Sequence, residues 1–101
     1  MTQIKFTAKQ ARELQLEGNV NKRNEIIEKF RYEVWDNKEA DGDLVNMQYD
    51  ILLVAQTAYT RTIRFPAIKD EEEYNKIRKL FIDAGYGFCH DDETGGFFII
   101  F

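Results

Sequence analysis

Proline, cysteine, histidine and tryptophan each occur once in these 101 residues, as Pro66, Cys89, His90 and Trp35, and methionine occurs twice. A single cysteine excludes an intrachain disulfide and any Cys-rich zinc site, and a reducing compartment is the natural expectation. No run approaches the roughly 18 apolar residues that cross a bilayer, and Met1-Thr2-Gln3-Ile4-Lys5 lacks the unbroken apolar core of a signal peptide. A cytoplasmic protein with no membrane contact is expected. An excess of positive charge is missing too: the net charge is −4, with eight Lys/Arg against seven Asp/Glu in residues 1–40 and six against eleven in residues 41–101. Binding to nucleic-acid phosphates needs clustered Lys/Arg, so direct nucleic-acid binding is not expected.

The chain is rich in apolar and aromatic residues, at 44% and 14%. Disordered chains carry far less, so residues 1–101 are expected to form one folded domain.

Thr7-Ala8-Lys9-Gln10 has the form of a capping box with Phe6 placed before it, and predicts a helix from Ala8 to about Glu17 that stops at Gly18-Asn19. A second helix, capped by Asn21 or Asn24, presents Ile26, Ile27, Phe30, Val34 and Trp35 at helical spacing. A polar connector, Asp36 to Asp43, follows, with Asp43 a competent N-cap. From Leu44 to Ala58, Leu44, Met47, Ile51, Val54, Ala55 and Ala58 recur on one helical face, widened by Leu52 and Leu53.

The period then changes. Tyr59, Arg61, Ile63 and Phe65 alternate with Thr60, Thr62 and Arg64, which predicts a half-buried strand ended by Pro66. Asp70 caps a helix that carries Glu71, Glu72 and Glu73 in its first turn, where negative charge complements the helix dipole. Tyr74, Ile77, Phe81 and Ala84 form its inward stripe, and Gly85 releases the chain into a strand over Tyr86–His90. Thr94-Gly95-Gly96 reads as a hairpin bend before Phe97-Phe98-Ile99-Ile100-Phe101. In that last strand Phe97, Ile99 and Phe101 point one way, and Phe98 and Ile100 the other. Such a two-faced strand is either covered on both sides within one copy or buried at a contact between copies.

The fold class is therefore α+β: two or three N-terminal helices, occupying residues 1–40 and the start of 41–101, packed on a small three-stranded sheet with one crossover helix in a C-terminal βαββ unit.

From Asp50 to Phe101 the layout resembles small accessory proteins of tailed bacteriophages. The likeness rests on the Tyr59–Phe65 strand, on Leu80-Phe81-Ile82-Asp83-Ala84-Gly85-Tyr86, and on the acidic Gly-Gly turn before a terminal aliphatic-aromatic strand. It implies a role in the virion or in binding and altering a host component, and it brings no catalytic motif.

Cys89-His90-Asp91-Asp92-Glu93 gathers the single thiol and imidazole with three carboxylates. Adjacent strand residues face opposite ways, so Cys89 and His90 do not form a nucleophile–base pair, and a buried Cys89 with a solvent-facing His90 is expected. His90 with Asp91, Asp92 and Glu93 has no diagnostic metal spacing, and no cofactor or metal is expected; a small metal-dependent hydrolase centred on His90 stands as an alternative. Gly85-Tyr86-Gly87 and Gly95-Gly96 lack the pattern of phosphate loops.

Three surfaces are candidates for contact. Asp70, Glu71, Glu72 and Glu73, together with Asp91, Asp92 and Glu93, would display spaced negative charge, as an inhibitor that mimics nucleic acid does. Arg61, Arg64, Lys69, Lys76, Arg78 and Lys79 beside Tyr59 and Tyr74 would make a basic patch for a single strand. Tyr32 and Trp35 belong to the residue types that dominate protein contacts. The sequence reading is a non-enzymatic interaction protein that associates with itself or binds a host protein; the acidic mimic is its alternative.

Overall fold

The computed structural model describes residues 4–37, 42–57 and 59–101. Helix α1 spans Ala8–Leu16, α2 Val20–Phe30, α3 Gly42–Ala55 and α4 Glu71–Asp83; strands are β1 Thr62–Phe65, β2 Gly87–His90 and β3 Phe97–Ile100. Met1-Thr2-Gln3, Lys38 to Asp41 of the expected polar connector, and Ala58 at the end of the expected third helix lie outside the described residues.

The capping box forms as the sequence predicts: Thr7 Oγ1 accepts from the Gln10 N–H at 3.2 Å, and Gln10 Oε1 accepts from the Thr7 N–H at 3.0 Å. Helix α2 is capped two residues before the earlier of its expected caps. Asn19, read from sequence as a stop for the first helix, accepts from the Asn21 and Lys22 N–H groups and so caps the second. Asp43 likewise lies inside the first turn of α3 and does not precede it.

The sheet has the order β1-β3-β2, with both pairings antiparallel. The two strands joined by α4 run parallel to each other but do not touch, because the terminal strand lies between them. Composition explains that placement. Phe97-Phe98-Ile99-Ile100 carries no charge and can accept neighbours on both sides, whereas β1 and β2 carry Arg64 and His90 and sit at the edges. The strand expected from Tyr59 begins only at Thr62. The Thr60 hydroxyl accepts from the Thr62 N–H and donates to the Thr62 carbonyl, which turns the chain locally and leaves Tyr59 96% exposed.

One face of the sheet holds the core. Ile63, Phe65, Phe97, Ile99 and Phe101 pack under Ile77 and Phe81 of α4, with Ala8, Ala11 and Leu14 of α1 and Ile51, Leu52 and Ala55 of α3 in the same cluster. Each such large side chain contributes roughly 1.5–3 kcal/mol on burial. The other face carries Thr62, Arg64, Phe98, Ile100, Gly87 and Cys89. Among the described residues no layer covers it: Ile100 is 40% exposed, Phe98 is only partly buried, and Arg64 lies over the Phe98 ring at 4.9 Å.

Three polar side chains pin the segments that lead into the helices and strands. The Gln48 carboxamide, buried on α3, accepts from the Lys5 and Phe6 N–H groups at 2.9 and 3.0 Å and donates to the Leu44 carbonyl at 3.2 Å. Gln15 donates to the Thr60 carbonyl at 2.7 Å and accepts from Arg61 Nε at 3.1 Å. The Tyr86 hydroxyl donates to the Phe6 carbonyl. Burial raises the Tyr86 phenol well above the ordinary tyrosine range, with Arg12 acting slightly in the opposite direction, so it stays a protonated donor.

Candidate functional site

The candidate surface starts from a change of helical pitch. At the end of α2 the backbone loosens into a π-helical turn, Arg31–Trp35, closed by the Asp36 N–H donating to the Arg31 carbonyl at 2.8 Å. Phe30 and Val34 keep pointing into the core, while Trp35, next in sequence, is turned outwards onto α3. Its indole meets Tyr49 at 4.9 Å between ring centroids. Tyr49 in turn reaches Phe30 at 6.5 Å, and Phe30 meets Phe6 edge-on at 5.2 Å. A line of four aromatic rings thus runs from the buried N-terminal segment to the surface.

A groove of about 390 Å³ opens beside these rings, lined by Ile27, Phe30, Leu52, Tyr49 and Trp35, with Arg31 and Asp36 at its rim. The rim pair lies 3.7 Å apart and is solvent-exposed, so it contributes at most about 1 kcal/mol to stability. Trp35 stays 50% exposed. An apolar floor, an aromatic mouth and a polar rim make up the anatomy of a protein-contact patch. Tyr32 is 74% exposed and does not line the groove, so the two expected residues are not brought together. Tyr49, which sequence reasoning passed over, takes that place. Its signal was its position three residues before Leu52 on the widened stripe of α3.

No known protein family, curated protein or solved structure matches the chain.

The other candidate residues separate. Asp91 is buried at 5% exposure and is a turn residue, not a displayed charge. Its carboxylate accepts from Thr94 Oγ1 at 2.7 Å and from the Glu93 N–H at 3.1 Å, and lies 3.6 Å from Arg64 Nε. Asp70 caps α4 by accepting from the Glu72 N–H at 3.0 Å. Glu71, Glu72, Asp92 and Glu93 are exposed, and Glu73 lines a second groove of about 340 Å³ with Met47, Asp50 and Phe65. The acidic helix start and the acidic turn lie at the same end of the sheet, because Phe65 and His90 both pair with Phe97.

The basic patch does not form around its two expected aromatics. Tyr74 packs into the core against Phe88 and Phe97, Arg61 is held by Gln15, and Arg64 lies on the outer sheet face. Cys89, expected to be buried, is exposed, because β2 is an edge strand and Cys89 lies on its uncovered face. His90 projects from the opposite face, hydrogen-bonded to the Tyr74 hydroxyl at 3.2 Å, with Asp92 3.7 Å away. Neither Cys89 nor His90 lines any of the grooves found. Among the described residues no three His, Cys, Asp or Glu side chains gather closely enough to hold a metal ion, and no helix is long and apolar enough to cross a membrane.

The hydrogen bond from Thr94, opposed by burial and helped by the Glu93 N–H, the Arg64 charge and the Thr94 N–H, holds the Asp91 carboxyl below the ordinary aspartate value. A depressed carboxyl stabilises the fold fully above the unfolded value of about 3.9 and loses that contribution as pH falls through the folded value. The difference in urea midpoint between wild type and Asp91→Ala is therefore expected to be constant above about pH 5 and to shrink on acidification below about pH 4. A difference unchanged down to pH 2.5 would show that the charge of Asp91 is not what the turn uses.

Proposed function

We propose that this chain is a non-enzymatic interaction protein that works by contact with a second copy of itself and with a foreign protein, the latter through the Trp35–Tyr49 groove. The observation that carries this reading is the exposed indole at the mouth of an apolar groove. A half-exposed Trp beside a Tyr, backed by a chain of rings into the core, is pre-organised: few rotamers are left to freeze on binding. The resemblance to accessory proteins of tailed bacteriophages supports a host protein as the foreign partner.

Trp35→Ala and Tyr49→Ala are expected to weaken capture of that partner about 30-fold each, the effect of removing a contact worth about 2 kcal/mol. Circular dichroism melting should stay near wild type for Trp35→Ala, and Ile100→Ser on the far sheet face should leave capture unchanged. Trp35, the single tryptophan, also reports directly, since its emission shifts to shorter wavelength when the groove is covered. Capture that survives both truncations would move the contact elsewhere.

A further inference from the structure

We propose that two copies pair through their β2 edges, antiparallel and centred on Cys89, to form a continuous six-stranded sheet. This deepens the self-association part of the reading above and rests on it.

The argument begins with which backbone groups point outwards. The Asp91 N–H donates to the Gly96 carbonyl, so Asp91 and Gly96 are a hydrogen-bonded pair of the β2–β3 ladder. By alternation Cys89 and Gly87 also bond to β3, and the N–H and C=O groups of Phe88 and His90 face away from the sheet. The β1 edge is closed by comparison. The Phe101 N–H donates to the Arg61 carbonyl, which makes Thr62, Arg64 and residue 66 the outward positions. Thr60 occupies the groups of Thr62, residue 66 is the single proline, and Arg64 adds a charge. From Tyr86 to His90 there is no proline, lysine or carboxylate. A proline, a hydroxyl bound to the backbone and an arginine thus guard the β1 edge, and none of the three stands on β2.

The register follows from what is already used. Pairing centred on Phe88 would need the Tyr86 N–H, which donates to the Phe81 carbonyl at 3.0 Å. Pairing centred on His90 would place Phe88 against Asp92, beyond the end of the strand. Centring on Cys89 sets Phe88 opposite the partner's His90 and His90 opposite the partner's Phe88, so all four outward groups of each edge are satisfied.

Charge complementarity selects a second copy as the occupant. Tyr74 packs against Phe88 and His90, at 5.6 and 6.0 Å, and so lies level with Cys89 on the helix above. Glu73 and Leu80 face the α3 and N-terminal side of α4. The opposite flank, towards the β2 edge, carries Glu71 and Arg78, three residues before Tyr74 and four after it, both exposed. A two-fold axis through Cys89 brings Glu71 of one copy beside Arg78 of the other, twice. A strand from an unrelated protein would carry no such reciprocal pair.

The register is read by Cys89 itself. Opposed Cys89 residues form a non-hydrogen-bonded pair with Cα atoms about 4.5 Å apart, inside the range of about 4.4–6.8 Å that a disulfide spans. Treatment of the full chain with diamide, which takes two electrons and two protons from the two thiols and becomes the hydrazine, is expected to give a covalent dimer at micromolar protein. Thr62→Cys in a Cys89→Ser background should give none. Light scattering should report a dimer for wild type and a monomer for Cys89→Lys, whose exposed position leaves the fold intact. Arg78→Glu should weaken the dimer about tenfold, and Glu71→Arg with Arg78→Glu should restore it. A wild-type dimer that resists cross-linking and survives Cys89→Lys would overturn this geometry but leave self-association standing. A wild-type monomer at every concentration would overturn both.

Discussion

Gln48→Leu is expected to lower the stability of the fold by about 2–4 kcal/mol, although leucine fills nearly the same volume and is more apolar. The Gln48 carbonyl oxygen is the shared acceptor for the Lys5 and Phe6 N–H groups, and the Phe6 group is buried. Leucine removes the acceptor but leaves the donors in place, and each unsatisfied buried group costs about 1–3 kcal/mol. Hydrophobic gain at the side chain does not offset that penalty, because the methylene stem of Gln48 is already buried. Urea unfolding measures the loss, and amide exchange localises it: the Lys5 and Phe6 N–H groups should lose protection before those of β3. Gln56→Leu, one residue past the end of α3 and at an exposed position, should change stability by less than about 0.5 kcal/mol. Equal effects at the two sites would mean that the N-terminal segment is not pinned by Gln48.

Phe97→Ala should destabilise the fold by about 3–5 kcal/mol, the range for deleting a fully buried ring. Phe97 is inaccessible to solvent at the start of the central strand, stacked on Phe88 at 4.7 Å and close to Phe65 and Tyr74 at 5.5 and 6.1 Å. No neighbour can collapse into its place without breaking a ring contact. Phe98→Ala, one residue on, points to the uncovered face and should cost about 1 kcal/mol, mainly through its contact with Arg64. The contrast is the informative result. Similar losses at Phe97 and Phe98, measured at a concentration where the protein is monomeric, would mean that both faces are covered within one copy.

The two proposed contact surfaces share a physical origin with the core. Trp35 is exposed because a π-helical turn uncouples it from the Phe30–Val34 stripe, and β2 is open because it pairs with β3 along one side only. In both places the sequence supplies apolar or hydrogen-bonding groups that one copy leaves unused. The aromatic groove lies on α2 and α3, while the open edge lies on β2, so partner binding and self-pairing would not compete.

The sequence by itself determined the elements wherever the deciding interactions are local. The Thr7–Gln10 capping box, the acid-rich start of α4 after Asp70 and the release at Gly85, whose φ is 91°, all form as their residues dictate. The alternation that sends Phe97, Ile99 and Phe101 inwards and Phe98 and Ile100 outwards is equally local, because the pleat has a period of two. The tertiary structure decided what depends on distant partners. It placed β3 between β1 and β2, gave Gln48 its role through donors more than 40 residues away, and moved Tyr49 rather than Tyr32 beside Trp35. It also turned Asp91 inwards and Cys89 outwards. Periodicity states which face a residue occupies along its own element, but only packing between elements decides which of the two faces is covered.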